Sequence, residues 1–316
     1  MNLRLIACAM TLAAAAFPAY QVFAQDHVHP AAGQTAAVPH SMNNKDLPAD
    51  EAGSKARLNT SPRHGEWVKI DAGGSPVNTF VVYPERRTKA PVVIVIQEIF
   101  GLTDWIRGVA DQLAAEGFIA VAPDLLSGHG PNGGGTEAYP SRDDVTRAVM
   151  GLPREEVNAR LDAVRAYGLR LPAASARSAT VGFCWGGSTS FAYAVAQPAL
   201  DAAVVYYGTA PAEPGGAQGS FTPAASLGGI TAAVLGLYGG SDARITATVP
   251  ETEAKMKELK KVYEHEIFDG AGHGFLRAQM DDQNGRNMAA TDKAWPRTIA
   301  FLRKYTEGTL PRTQGR

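Results

Sequence analysis

Short apolar runs and helical stripes alternate along most of this chain. Pro91 to Gln97 reads P-V-V-I-V-I-Q, Phe118 to Ala122 is similarly apolar, and Arg177 to Val181, Ala202 to Tyr207, Ala232 to Tyr238 and Val262 to Phe268 continue the series. Continuous β-branched runs without polar alternation belong to strands buried on both faces, as in a parallel sheet. Between them lie segments predicted as helices. Thr103 or Asp104 caps one that runs to about Glu116 and ends at Gly117. Further helices are expected over Arg142 to Met150, Arg154 to Leu169 (apolar at 157, 161, 164 and 169), Ser188 to Ala196, Val249 to Lys261 and Arg286 to Lys304. Ahead of these, Glu66 to Ala72 and Val77 to Tyr83 flank Gly73-Gly74-Ser75-Pro76 and predict a β-hairpin. The alternation specifies an α/β fold with a mostly parallel central sheet, helices on both faces and an N-terminal β-hairpin.

The stretch Gly182-Phe183-Cys184-Trp185-Gly186-Gly187 lies between a predicted strand and a predicted helix. Strand, tight glycine turn and helix form the setting of a nucleophile elbow, with glycines two before and two after a strained tip residue. The tip is Cys184. A thiol at a helix N-terminus is shifted toward thiolate, the attacking form; a buried structural cysteine is the bland alternative. Ligands of parallel sheets gather at the carboxyl ends of the strands, where Glu98, Cys184, Asp242 and His273 all fall. The order nucleophile, acid, histidine is that of the α/β-hydrolase triad. His273 is suited to take the thiol proton and return one to the leaving group, with Asp242 fixing its tautomer. Alone, Asp242 reads as a turn cap and His273 as a loop histidine; in this order and at strand ends they read as catalytic. His265, the other histidine after Asp242, sits inside a strand pattern and reads as structural. Oxyanion donors are expected from the backbone N–H groups of Trp185 and Ile99.

Composition narrows the setting. The chain has 316 residues, formal net charge −1 and 45% hydrophobic content, so no basic field points to nucleic acid or an anionic membrane. Residues 1–24 carry Arg4, an apolar run from Leu5 to Phe17, and Val22-Phe23-Ala24 before Gln25, the pattern of a cleaved secretory signal too short to span a bilayer. A periplasmic or secreted mature chain starting near Gln25 follows, without stable membrane insertion. Cys8 leaves with the signal, so Cys184 becomes the one cysteine of the mature chain. Residues 25–62 lack apolar periodicity and read as a disordered or loosely packed leader; His27, His29 and His40 within it read as a solvated tail. The folded domain is expected over 63–306, with 307–316 as a tail. Gly-rich 127–141 is expected to be a mobile excursion, and Thr209 to Gly229 a rim or lid. No cofactor is expected, and no histidine or carboxylate cluster accompanies His273 at metal-ligand spacing.

Five motifs together carry a family resemblance: Gln97-Glu98-Ile99-Phe100-Gly101, Ala122-Pro123-Asp124-Leu125, the elbow hexapeptide, Tyr238-Gly239-Gly240-Ser241-Asp242 and Ala271-Gly272-His273-Gly274-Phe275. In this order, from about 66 to 305, the chain resembles the dienelactone hydrolases (carboxymethylenebutenolidases). The resemblance implies an α/β-hydrolase fold with a Cys184-His273-Asp242 triad. It implies that Glu98 lies near the resting thiol and helps deprotonate it when substrate arrives. It also implies two arginines that hold a substrate carboxylate. Arg277 matches the first, four residues after His273. Arg142 or Arg147 fills the second place, with spacing favouring Arg142. Trp185 stands where a smaller aliphatic residue occurs in relatives, and both long loops depart from the simplest members.

The expected function is therefore cysteine-dependent hydrolysis of lactones or esters, dienelactone-like substrates favoured, by a monomer or homodimer acting on a small molecule. A general short-chain carboxylesterase of the same fold is the first alternative. A non-catalytic binding protein on a hydrolase scaffold is the second.

Overall fold

A computed structural model describes residues 44–214, 221–281 and 284–308. The expected signal segment, most of the leader with His27, His29 and His40, and the end of the C-terminal tail lie outside the described residues.

Eight strands among the described residues form one sheet: β1 (Gly65–Asp71), β2 (Pro76–Val82), β3 (Ala90–Ile96), β4 (Ile119–Pro123), β5 (Ala174–Phe183), β6 (Ala202–Tyr206), β7 (Ala233–Gly239) and β8 (Tyr263–Phe268), in the order β1-β2-β4-β3-β5-β6-β7-β8. The hairpin β1–β2 is antiparallel and joins β4 antiparallel; every pair from β4 through β8 is parallel. The two-residue period of a strand sends Val93 and Val95 to one face and Val92, Ile94 and Ile96 to the other. The first face packs on α2 (Asp104–Ala115) and α8 (Arg286–Thr306) through Trp105, Ile106, Trp295 and Leu302. The second packs on α4 (Arg154–Arg170), α5 (Trp185–Ala196) and α7 (Val249–Glu258) through Leu161, Phe191 and Met256. The short helices α3 (Arg142–Met150) and α6 (Ala243–Thr246) lie at the carboxyl ends of β4 and β7 in chain order.

Two expectations change. The segment before residue 63 is not all leader: α1 (Glu51–Asn59) starts at an Asp50 N-cap whose side chain accepts from the Gly53 amide. Leu47 and Ser54 are buried, and Arg57 donates to Gln112 Oε1 on α2 at 2.8 Å. The helix escapes a hydrophobic-period reading because its contact with α2 is made by small residues, Ser54 lying against Gly108. The Gly-rich 127–141 segment is pinned rather than free. Asp124 accepts from the Thr136 amide and hydroxyl, each at 2.7 Å, and the buried Arg160 donates to the carbonyls of Leu125 and Ser127. On α4 the expected face holds: Val157, Leu161 and Val164 are buried and Leu169 packs partly buried on the same core, while a methyl at Gly168 would lie 2.6 Å from Val92. The 209–229 connection carries a bridge between Ala212 and Pro223; residues 215–220 at its tip lie outside the described residues.

Candidate active site

The elbow forms as its glycines require. Cys184 sits between β5 and α5 at φ 55°, ψ −115°, a conformation that costs a non-glycine residue roughly 1–3 kcal/mol. It is held because its neighbours approach closely. A methyl at Gly182 would lie 1.9 Å from the Gly186 carbonyl oxygen, and one at Gly186 would lie 2.2 Å from that of Gln97. The Cys184 amide donates to the Tyr206 carbonyl at 3.0 Å. The half-buried thiol is thereby raised above the carboxyl ends of β5 and β6.

Asp242 and His273 converge on it from the next two strand ends. His273 Nδ1 lies 2.5 Å from Asp242 Oδ2, and Cys184 is near enough to the imidazole to raise its pKa. Asp242 stands at the N-cap of α6, yet its side chain makes no cap bond there. The carboxylate therefore serves His273 rather than the turn. Burial pulls the imidazolium down, but the bonds and charges of Asp242 and Cys184 outweigh it and push His273 up to about 10. At neutral pH the histidine is thus held protonated between a carboxylate and the sulfur.

Glu98, buried just past β3, lies beside this chain. Its Oε2 is 2.8 Å from Arg277 Nε, an ion pair whose angle is too bent for a straight hydrogen bond. Burial raises the carboxyl; the charges of Arg277 and His273 pull it back without prevailing. Its ion-pair partner among the described residues is Arg277.

The dienelactone hydrolase family model matches residues 77–306. The chain belongs to the dienelactone hydrolase family. It is 32% identical over 245 residues to a Salmonella typhimurium protein named for carboxymethylenebutenolidase, covering 75% of this chain and 86% of that one. It is 29% identical over 248 residues to a Bradyrhizobium protein named for 2-oxo-3-(5-oxofuran-2-ylidene)propanoate lactonase, covering 77% and 95%. A crystal structure of a Klebsiella pneumoniae protein described as a dienelactone hydrolase superposes with TM-score 0.64 at 28% identity, covering 77% of this chain and 99% of that one.

The remaining residues that the dienelactone hydrolase resemblance singled out fall around the same strand ends. Arg277 Nη1 lies 2.5 Å from Glu51 Oε2, and Arg142 Nη2 lies 2.8 Å from Glu51 Oε1. Both guanidiniums lie against the Phe100 ring, at 3.7 Å for Arg142 and 5.3 Å for Arg277. Arg147 instead pairs with Asp144 on the exposed side of α3. Trp185 begins α5, where the first-turn amides have no acceptor within the helix. Its side chain walls a cavity of about 250 Å³ with Leu152, Arg154, Val157 and Ser188. Ile99 occupies the tight turn between Glu98 and Gly101. His265 stacks on Tyr263 within β8.

Two residues escaped sequence reasoning. Tyr207 follows β6 at φ 39°, fully buried, its ring centroid 5.1 Å from that of His273. Its hydroxyl has no hydrogen-bond partner among the described residues. Burial, and next the Glu98 charge, raise its pKa strongly. Its position just past a buried strand was the available signal. Glu51 lay in what looked like leader, where no apolar stripe marked a helix.

Proposed function

We propose that this chain is a cysteine-dependent hydrolase of lactone and ester bonds, with dienelactone-like substrates favoured. The observation that supports the reading is the Asp242–His273 pair at the carboxyl ends of parallel strands, with Cys184 on a strained elbow near enough to raise the pKa of the imidazole. The names of the Salmonella and Bradyrhizobium relatives agree with it.

In this reading the proton of Cys184 rests on His273 before attack, and the thiolate attacks the acyl carbon. The carbonyl π-electrons move to oxygen, and the oxyanion is met by the amides of Trp185 and Ile99. Collapse re-forms the carbonyl and breaks the acyl C–O bond. The leaving oxygen takes the proton from His273; in a lactone it stays tethered and the ring opens. Water then attacks the thioester with His273 as base, and the acid departs as the thiolate is restored. Asp242 holds Nδ1–H throughout, so the imidazole meets sulfur and water through one nitrogen.

Loss of dienelactone ultraviolet absorbance is followed beside hydrolysis of a neutral aryl ester, for the enzyme and its Cys184→Ala variant. Activity on both substrates that vanishes in the variant is expected. Activity that survives the substitution, or is absent from both forms, removes the cysteine hydrolase reading. Activity on the aryl ester alone moves the assignment to a general carboxylesterase. Export is part of the same proposal: the mature chain recovered outside the cytoplasm should begin at Gln25, and an intact Met1 terminus there counts against it.

A further inference from the structure

We propose that Thr136 is a positioning residue for acyl transfer: it latches the turn that carries Glu98 and the Ile99 amide onto the loop that follows β4. This role rests on the hydrolase reading above, in which the Ile99 amide meets the oxyanion, and deepens it by naming what holds that amide in place.

The turn from Glu98 to Gly101 joins β3 to α2. Its own closing bond is long, from the Gly101 amide to the Glu98 carbonyl at 3.3 Å, and Gly101 takes φ 74°. The turn is fastened from outside at two points that bracket Ile99. Before it, Gln97 Oε1 accepts from the Leu125 amide at 3.2 Å. After it, the Leu102 amide donates to Thr136 Oγ1 at 3.0 Å. Both bonds are buried, so neither competes with water. Thr136 is itself held on a fixed carboxylate. Its hydroxyl donates to Asp124 Oδ1 and its amide to Oδ2, each at 2.7 Å. The Leu126 amide adds a bond to Oδ1 at 3.0 Å, and the Asp124 amide donates to the Asn78 carbonyl on β2 at 2.8 Å. With its proton committed to Asp124, the hydroxyl presents a lone pair to Leu102. The same side chain also braces the turn: a methyl on Gly101 would lie 2.4 Å from Thr136 Oγ1 and 2.5 Å from Cγ2.

Among the described residues the Ile99 amide has no acceptor, so it is free to meet an oxyanion. Such a donor acts only where charge develops, and a misplacement of about 1 Å costs about a hundredfold in rate. Thr136 touches neither the substrate nor Cys184 in this account. It acts by keeping the backbone on the far side of Ile99 from shifting.

The test compares the whole enzyme with its Thr136→Val, Thr136→Ser and Gly101→Ala variants, using two probes of Cys184. Hydrolysis of p-nitrophenyl acetate passes through an oxyanion both when the thioester forms and when water removes it. Alkylation by iodoacetamide forms a C–S bond and releases iodide at a saturated carbon, with no oxyanion. Thr136→Val keeps the shape and removes the acceptor. Its kcat should fall about tenfold to a hundredfold while KM stays within about threefold, since both steps slow together. Its alkylation rate should stay within about twofold of wild type, because the thiolate itself is untouched. Thr136→Ser keeps the hydroxyl and should hold kcat within about threefold of wild type. Gly101→Ala pushes the turn off the latch and should show the same split as Thr136→Val, so the result does not depend on one variant folding. The proposal is overturned if Thr136→Val or Gly101→Ala keeps the wild-type kcat, if alkylation slows in step with kcat, or if Thr136→Ser loses as much as Thr136→Val. An active wild type with an unaffected valine variant removes this proposal alone. A wild type without Cys184-dependent hydrolysis removes the function proposed above and this role with it.

Discussion

Substituting Gly182 by alanine tests whether the thiol is aimed by backbone contact. The added methyl would lie 1.9 Å from the carbonyl oxygen of Gly186, 2.5 Å from its carbon and 3.0 Å from the Gly187 nitrogen. All three are backbone atoms, so no side chain can swing aside. Nor can α5 retreat freely, because Gly187 is closely apposed to the Tyr206 carbonyl and the Cys184 amide is bonded to it. Overpacking of a filled interior costs about 1–3 kcal/mol, and a backbone clash without relief belongs at the upper end. At roughly 2–4 °C per kcal/mol for a domain of this size, about 3 kcal/mol lowers the melting temperature by about 6–12 °C. Gly228→Ala is the matched control: its methyl meets only Leu259 Cδ2, at 3.8 Å, and its effect should stay within about 0.5 kcal/mol. The assay is thermal unfolding of the three proteins beside alkylation of Cys184 by iodoacetamide at a temperature where all are folded. Gly182→Ala should unfold early and alkylate at a changed rate. If it melts within about 2 °C of wild type and alkylates at the same rate, close backbone approach is not what holds the elbow.

Asp242→Asn should lower kcat by roughly 10²–10⁴ with little change in KM, because the carboxylate orients and charges His273 rather than touching substrate; steady-state kinetics checks it, and a loss confined to KM would contradict it. The imidazolium of His273 should persist through neutral pH and titrate near 10, well above its ordinary 6.5. In Cys184→Ala two of the influences that raise it disappear while burial remains, so the NMR titration should move down, and an unmoved midpoint would deny the contact. The sign for stability follows from the raised value: the contribution of this charged group is fully present below pH 6.5 and is lost as pH rises toward about 10. Wild type should therefore lose its stability advantage over Cys184→Ala across that window, and a growing advantage would contradict the assignment.

The parts legible in the sequence were those fixed by local composition. A strand buried on both faces must be apolar at successive positions, so Ala90–Ile96 and Ala202–Tyr206 could be read directly. The elbow was legible because its steric demand falls on Gly182 and Gly186, a fixed distance from Cys184 in the chain. The meeting of Asp242 and His273 was legible as an order of residues at strand ends. Partners set by distant packing were not. Nothing near Asp124 says that its carboxylate will be bonded by Thr136 and so tie down a glycine-rich loop. Nothing near Gly168 says that Val92 will press against it. For α1 the local signals were present, an Asp50 cap, Glu51 in the first turn and Arg57 in the last. They were outweighed in the reading by the missing apolar stripe, which small-residue packing of Ser54 on Gly108 makes unnecessary.

Two charged chains meet at this site. Cys184, His273 and Asp242 form one; Glu98, Arg277, Glu51 and Arg142 form the other. They are coupled through Glu98 and His273, and the buried Tyr207 feels Glu98, Arg277 and Cys184 at once. Glu98 is pushed up by burial and by Glu51, and held down by Arg277 and His273. Its protonation state therefore depends on whether Arg277 is shared with α1. A change that withdraws Glu51 removes one influence raising Glu98 and frees Arg277 to hold it more firmly as a carboxylate. A Glu98 anion in turn favours the charged form of His273. The position of α1 therefore bears on the direction in which the buried Glu98 is shifted. Substitutions in α1 should be judged by the pH profile of the reaction as well as by stability.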